Sequence, residues 1–143
     1  MVAPLELTSA FRKIHQFNCF SCFTPSQVAL AEFMKQKSTY LDLSSQMQEK
    51  RDYFIRLMKE TKFTLLPSSG SYFICSTYEK ISDQGDKDFS LQMTKEFGVT
   101  PIPVSAFYQN GKDDKVIRFC FTKKKETIEA AVGRLVVSCL NND

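Results

Sequence analysis

Apolar residues recur at helical intervals along the first half of the chain. Over residues 5–17, Phe11, Ile14 and Phe17 are three apart, which predicts a helix with Thr8 as its candidate N-cap. Thr24-Pro25-Ser26-Gln27 predicts a second helix over 24–35. There Thr24 caps, Pro25 suits the first turn, and Gln27 completes a capping box. Leu30, Phe33 and Met34 supply its core face. Ser38 opens a longer helix over 39–62, with Tyr40, Leu43, Met47, Phe54, Leu57 and Met58 as its stripe. Glu49, Lys50, Arg51, Asp52 and Arg56 cover its wet side.

After residue 62 the period changes. Residues 63–66 and 71–75 read as strands separated by Pro67-Ser68-Ser69-Gly70. Gly70 permits a sharp turn or a close backbone approach. Residues 77–87 are polar and loop-like, and 88–97 predict a helix carrying Phe89, Met93 and Phe97 with Gly98 as its stop. Residues 99–104 form a strand containing Pro101 and Pro103, so it belongs at a sheet edge. Ser105 to Tyr108 leave it as a loop, and Asn110-Gly111 turns the chain back. Lys115 to Phe121 then form a strand that is apolar on both faces, with Ile117, Phe119 and Phe121 on one and Val116, Arg118 and Cys120 on the other. A last helix carries Ile128, Val132, Leu135 and Val136. Helices followed by strands mixed with helices predict a two-layer α/β unit over residues 1–143, with a small, partly antiparallel sheet.

Composition narrows the class. The 143 residues suffice for one ordinary domain. Thirteen phenylalanines without a tryptophan demand burial, inside the chain or against something else. A net charge of +3, with the bases dispersed among acids, gives no footprint for nucleic acid. No run is long enough for a membrane span, and the first residues lack a signal-peptide pattern. Five cysteines cannot all pair internally; Cys75, Cys120 and Cys139 fall in apolar patterns, as small hydrophobes do in a reducing compartment. A cytoplasmic address is expected.

Candidate chemistry centres on Arg118. Its planar fork of donors matches a carboxylate. Enclosed in an apolar strand it needs a partner, and the pattern leaves open a structural ion pair or a ligand site. His15, the only histidine, reads as a helix-surface residue. Cys19 and Cys22 have C-x-x-C spacing but lack a second ligand pair for zinc. Lys123-Lys124-Lys125 suit a phosphate or a solvated helix entry. There is no Gly-rich phosphate loop, nucleophile elbow or histidine-based triad.

The run Val116-Ile117-Arg118-Phe119-Cys120-Phe121, with Lys124 and Glu126-Thr127-Ile128-Glu129-Ala130-Ala131 after it, resembles the C-terminal end of fold-type I, pyridoxal-phosphate-dependent aminotransferases of class I/II. Kynurenine/glutamine and methionine aminotransferases are the nearest in pattern. Arg12-Lys13-Ile14-His15-Gln16, Phe20, Thr24-Pro25 with Gln27, Gly70 with Tyr72-Phe73, and Gly98-Val99 with Ile102-Pro103-Val104-Ser105 and Phe107 fall in the family's order. The resemblance spans essentially the whole chain.

The resemblance implies specific roles. Arg118 is the arginine that clamps the substrate's α-carboxylate, which orients the amino acid against the cofactor. Phe20 reaches across a homodimer into the partner's pocket. Tyr72, near Gly70, and Phe107, within Ser105 to Tyr108, lie by the substrate mouth. The family's Ser-x-x-Lys turn, which supplies the Schiff-base lysine, has no counterpart here, nor do the cofactor's acidic and tyrosine neighbours. Met1-Val2-Ala3-Pro4 resembles the segment just past that lysine. The expectation is a C-terminal portion of the enzyme, namely the small domain plus the end of the large one. It is expected to be inactive alone and to hold no pyridoxal phosphate, while the complete protein moves an amino group between an amino acid and a 2-oxo acid. Such a portion exposes an apolar patch, with Phe17, Phe20 and Phe23 as its candidate. The alternative is a stand-alone, non-catalytic α/β module binding a carboxylate or a protein.

Overall fold

A computed structural model describes residues 2–140, with side chains to residue 137. The predicted burial of Cys139 therefore lies outside the described side chains. Backbone packing divides the chain into two compact units, Met1–Leu43 and Ser44–Asp143, where the sequence pattern predicts one.

The first unit is helical: α1 (Leu5–Asn18), α2 (Thr24–Phe33) and α3 (Ser38–Leu41). None of the three buries a residue. The stripe Phe11, Ile14 and Phe17 is present on α1 but exposed. Two predicted caps differ. Thr8 lies inside α1, and its hydroxyl donates to the Ala3 carbonyl at 3.1 Å. Thr24 is the first helical residue of α2, and Gln27 donates from Nε2 to the Cys22 carbonyl at 3.2 Å rather than closing a capping box. The predicted helix over 39–62 is broken at Asp42 (φ −82°, ψ −2°) into α3 and α4 (Leu43–Met58). Asp42, Ser44 and Ser45 are poor helix-interior residues because their side chains compete for backbone groups.

The second unit holds a four-stranded sheet ordered β1-β2-β4-β3, from β1 (Thr64–Leu65), β2 (Phe73–Thr77), β3 (Ile102–Pro103) and β4 (Val116–Cys120). All three pairings are antiparallel. β3 is an edge strand of two residues, shorter than the predicted 99–104. Its end passes straight into a 3-10 turn, Val104–Phe107. A Cβ at Gly70 would meet open space, so its loop has no close approach that demands glycine.

The alternation in β4 decides the layering. Ile117 and Phe119 are buried, as is Phe121 just beyond, whereas Val116 and Arg118 are half-buried and Cys120 is exposed. The expectation of two dry faces is therefore corrected: only one is dry. The dry face packs on Phe54 and Met58 of α4, Phe89 of α5 (Asp86–Gln92), and Ile128, Val132 and Leu135 of α6 (Lys125–Leu140). Phe119 meets Phe63 edge-on at 5.5 Å and Phe54 at 5.9 Å. α5 starts two residues before its predicted beginning and runs into a π-helical turn, Met93–Phe97, ended by Gly98 in the left-handed region (φ 64°) as the sequence predicts. Tyr78 is fully buried, stacked on Phe89 at 4.2 Å, and its hydroxyl donates to the Gln84 carbonyl.

Two outcomes test this layering. Phe121→Ala should lower the unfolding free energy by about 3–5 kcal/mol, because a large ring leaves a packed core. Cys120→Ala should change it by less than about 0.5 kcal/mol, as a surface site does. Equal losses in denaturant titrations would contradict a one-sided core. Burial, and then the carboxylates of Asp113 and Asp86, push the Tyr78 phenol well above its ordinary value. Its folded pKa is thus raised over the unfolded one. Its contribution is complete below the ordinary tyrosine value and disappears as pH climbs from there toward the folded value. Tyr78→Phe should therefore flatten part of the alkaline loss of stability in pH-dependent melting.

Candidate functional site

The half-open face of the sheet carries one cation at its centre. Arg118 is the middle residue of β4, opposite Cys75 of β2 on one side and Ile102 of β3 on the other. Its guanidinium carbon lies 4.4 Å from the centre of the Phe73 ring and 5.1 Å from that of Phe107. Phe73 comes from β2 and Phe107 from the 3-10 turn after β3. Two strands and one turn thus converge on a single side chain.

The consequence lies in which donors remain. Aromatic faces attract a guanidinium through its charge and plane, leaving its N–H groups in that plane unengaged. Among the described residues no carboxylate pairs with Arg118, and none accepts a hydrogen bond from it. The structural ion pair left open by the sequence is therefore absent among them. Arg118 is also half-buried rather than enclosed, which lowers the desolvation cost that called for an acid. What remains is a planar cation in contact with two rings and with no acid on its fork, a combination suited to a carboxylate.

Of the other sequence-derived candidates, Phe107 touches the guanidinium directly. Tyr72 stands one step away, with its ring edge-on to Phe73 at 5.3 Å. Both are exposed, Phe107 at 61% and Tyr72 at 56%. Phe20 belongs to the first unit, where it is 83% exposed with φ 59° and borders a shallow hollow lined by Phe11, Arg12 and His15. His15 is exposed, with Nε2 3.9 Å from the Cys22 sulfur. No group of histidine, cysteine and acidic residues suited to a metal occurs among the described residues. Cys19, Cys22, Cys75 and Cys120 are free thiols. Burial raises the Cys75 thiol pKa, and the neighbouring Arg118 charge partly opposes that rise. Lys125 pairs with Glu49 at 3.3 Å and lies over Tyr53, with its side chain largely in solvent.

Two contributors escaped sequence reasoning. Phe73 reaches Arg118 only through the β2–β4 register, which no local pattern fixes. Asp86 falls in the stretch read as a polar loop, yet it is buried and accepts from both the main-chain N–H and the hydroxyl of Ser105. Its one advance signal is its place beside Gly85, two residues before the predicted helix.

Comparison with known proteins gives the geometry a family. Residues 1–135 match the profile "Aminotransferase class I and II". Methionine aminotransferase of Escherichia coli (strain K12) is 38% identical over 135 residues, covering 94% of this chain and 35% of that protein. Kynurenine–oxoglutarate transaminase 1 of Rattus norvegicus is 31% identical over 157 residues, covering 94% of this chain and 37% of its own. Among solved structures, an Escherichia coli protein identified with a methionine aminotransferase function superposes with a TM-score of 0.88 at 37% identity, covering 95% of this chain and 36% of that one. N-succinyldiaminopimelate aminotransferase from Mycobacterium tuberculosis gives 0.83 at 27% identity, over 95% and 36%. The chain spans roughly a third of the length of the curated relatives it matches. Its fold is that of the corresponding part of fold-type I aminotransferases, and the chain belongs to the class I and II aminotransferase family.

Proposed function

We infer that this chain acts as the C-terminal part of a pyridoxal-phosphate-dependent aminotransferase and contributes the arginine, Arg118, that binds the α-carboxylate of an amino acid or 2-oxo acid. The observation that carries this reading is the free guanidinium fork between Phe73 and Phe107. A carboxylate approaching in the plane of the fork accepts two parallel charge-assisted hydrogen bonds. The two ring contacts restrain the guanidinium, which favours one direction of approach for the carboxylate. Tyr72 and Phe107 stand as apolar walls beside it.

In this reading the cofactor's anchoring lysine is not among the described residues. Of the described lysines most stand on the exposed surface, and Lys115 spends its ammonium on the Asp83 and Gln84 carbonyls. The Schiff-base lysine and the phosphate cradle therefore belong, in this reading, to the portion of the relatives' length that this chain does not span. The chain alone is inactive, and no reaction step is assigned to it beyond binding.

The exposed apolar side chains support a further part of this reading. Phe17 and Phe23 are 86% and 72% exposed, beside Phe20, and Leu30, Phe33 and Met34 of the first unit are also open. So many large apolar side chains exposed on one unit mark an interaction site. We assign it to the homodimer contact, with Phe20 projecting toward the partner's pocket. A cytoplasmic setting suits the free thiols. No described helix is long and apolar enough to cross a membrane.

In the full-length enzyme, Arg118→Lys should lower kcat/KM by the equivalent of about 2–4 kcal/mol of transition-state stabilisation, because a point charge replaces a two-pronged fork. Steady-state kinetics check it, and unchanged turnover would remove Arg118 from the role. The isolated chain should self-associate in sedimentation velocity at micromolar concentration. A clean monomer over a broad dilution series would count against the interface.

A further inference from the structure

The turn that carries Phe107 is held by a buried carboxylate. Asp86 is 2% exposed and opens α5. Its Oδ2 accepts the Ser105 main-chain N–H at 2.7 Å, and its Oδ1 accepts the Ser105 hydroxyl at 2.6 Å. Ser105 is itself buried. A carboxylate is costly to bury unless its lone pairs are satisfied, so both partners are held to this geometry.

The same residue ties down the other end of the segment. The Asp86 main-chain N–H donates to Oδ2 of Asp113 at 2.8 Å, and Oδ1 of Asp113 accepts the Lys115 N–H, also at 2.8 Å. Ser105 stands two residues before Phe107, and Lys115 three residues before Arg118. Both ends of the connection between the 3-10 turn and β4 are therefore anchored on the start of α5. Phe107 has no such anchor of its own: its ring is mostly exposed and its described contact is the guanidinium.

We propose that Asp86 is a positioning residue for the carboxylate site: through Ser105 it holds Phe107 against Arg118 and so sets the direction of the guanidinium fork. Its value to substrate binding rests on the function proposed for Arg118, but the positioning itself does not. Asp86 touches neither the fork nor anything the fork would bind. Its effect passes entirely through the turn.

The test reads the geometry in the chain itself. In the 15N-labelled 143-residue chain, the Arg118 Nε–Hε resonance is identified by its loss in Arg118→Lys. The guanidinium carbon lies over both ring faces, so the rings should shift the resonance upfield, and Phe107→Ala should move it downfield by the share of one ring. Asp86→Asn should produce more than half of that movement, while the amides of Ile74 and Ile117 keep their positions. Ser105→Ala should move it in the same direction, and Ser105→Thr, which keeps a hydroxyl, should restore it. Should Asp86→Asn fail to fold, the Ser105 pair decides. A stationary Arg118 resonance in Asp86→Asn and Ser105→Ala, with Phe107→Ala moving it, would overturn the proposal and leave the carboxylate reading standing. If the resonance responds but Arg118→Lys leaves kcat/KM of the full-length enzyme intact, the positioning stands and the carboxylate reading fails.

Discussion

The alternation of side chains in β4 governs everything placed on the opposite side of the sheet. Ile117 and Phe119 fill the core between the sheet and three helices, and Phe121 follows them. A slip of one residue would drive Arg118 into that core and expose the rings, so the register is held by the whole buried face. Arg118 is thereby placed on the opposite face before any contact of its own side chain acts. The flanking rings then limit its plane, each contributing about 0.5–1 kcal/mol at a partly exposed site. An acid in their place would hold the guanidinium more tightly and would occupy the donors a ligand needs. Aromatic support leaves charge and fork available together.

Much of this was legible in the chain because it depends on local periodicity. The period-two run from Val116 to Phe121 located the central strand and its arginine. Three-residue spacing located α1, and Gly98 marked the end of the α5 segment. The two prolines placed β3 at an edge, where it lies. What failed depends on competition or on distance. Thr8 and Thr24 have the chemistry of caps, yet their helices begin at Leu5 and at Thr24 itself, offsets of about one turn and of one residue that propensity does not resolve. The break at Asp42 reflects residues that weaken a helix without forbidding it.

The candidate site divides the same way. Arg118 could be singled out by type and position. Tyr72 and Phe107 entered through resemblance to a family rather than through pattern. Phe73 and Asp86 needed the folded chain: one becomes a neighbour only across a ladder, and the other looks like a loop acid until its burial is seen. An aspartate written among polar residues carries no local mark of the serine nineteen residues on that it will bind.

The first unit departs from the second in a way that bears on the order of assembly. Its longest helix has 14 residues, and none of its helices buries a side chain. Isolated helices of that length are marginal in water, because nucleation is unfavourable and packing ordinarily supplies the difference. The second unit, by contrast, contains a closed aromatic core of its own. During synthesis the core from Phe54 to Leu135 can therefore form a nucleus unaided, whereas α1 and α2 become durable only when another surface covers their stripes. Their folding is coupled to docking, and a protease acting before that event would cut within α1 and α2 before it cut the second unit.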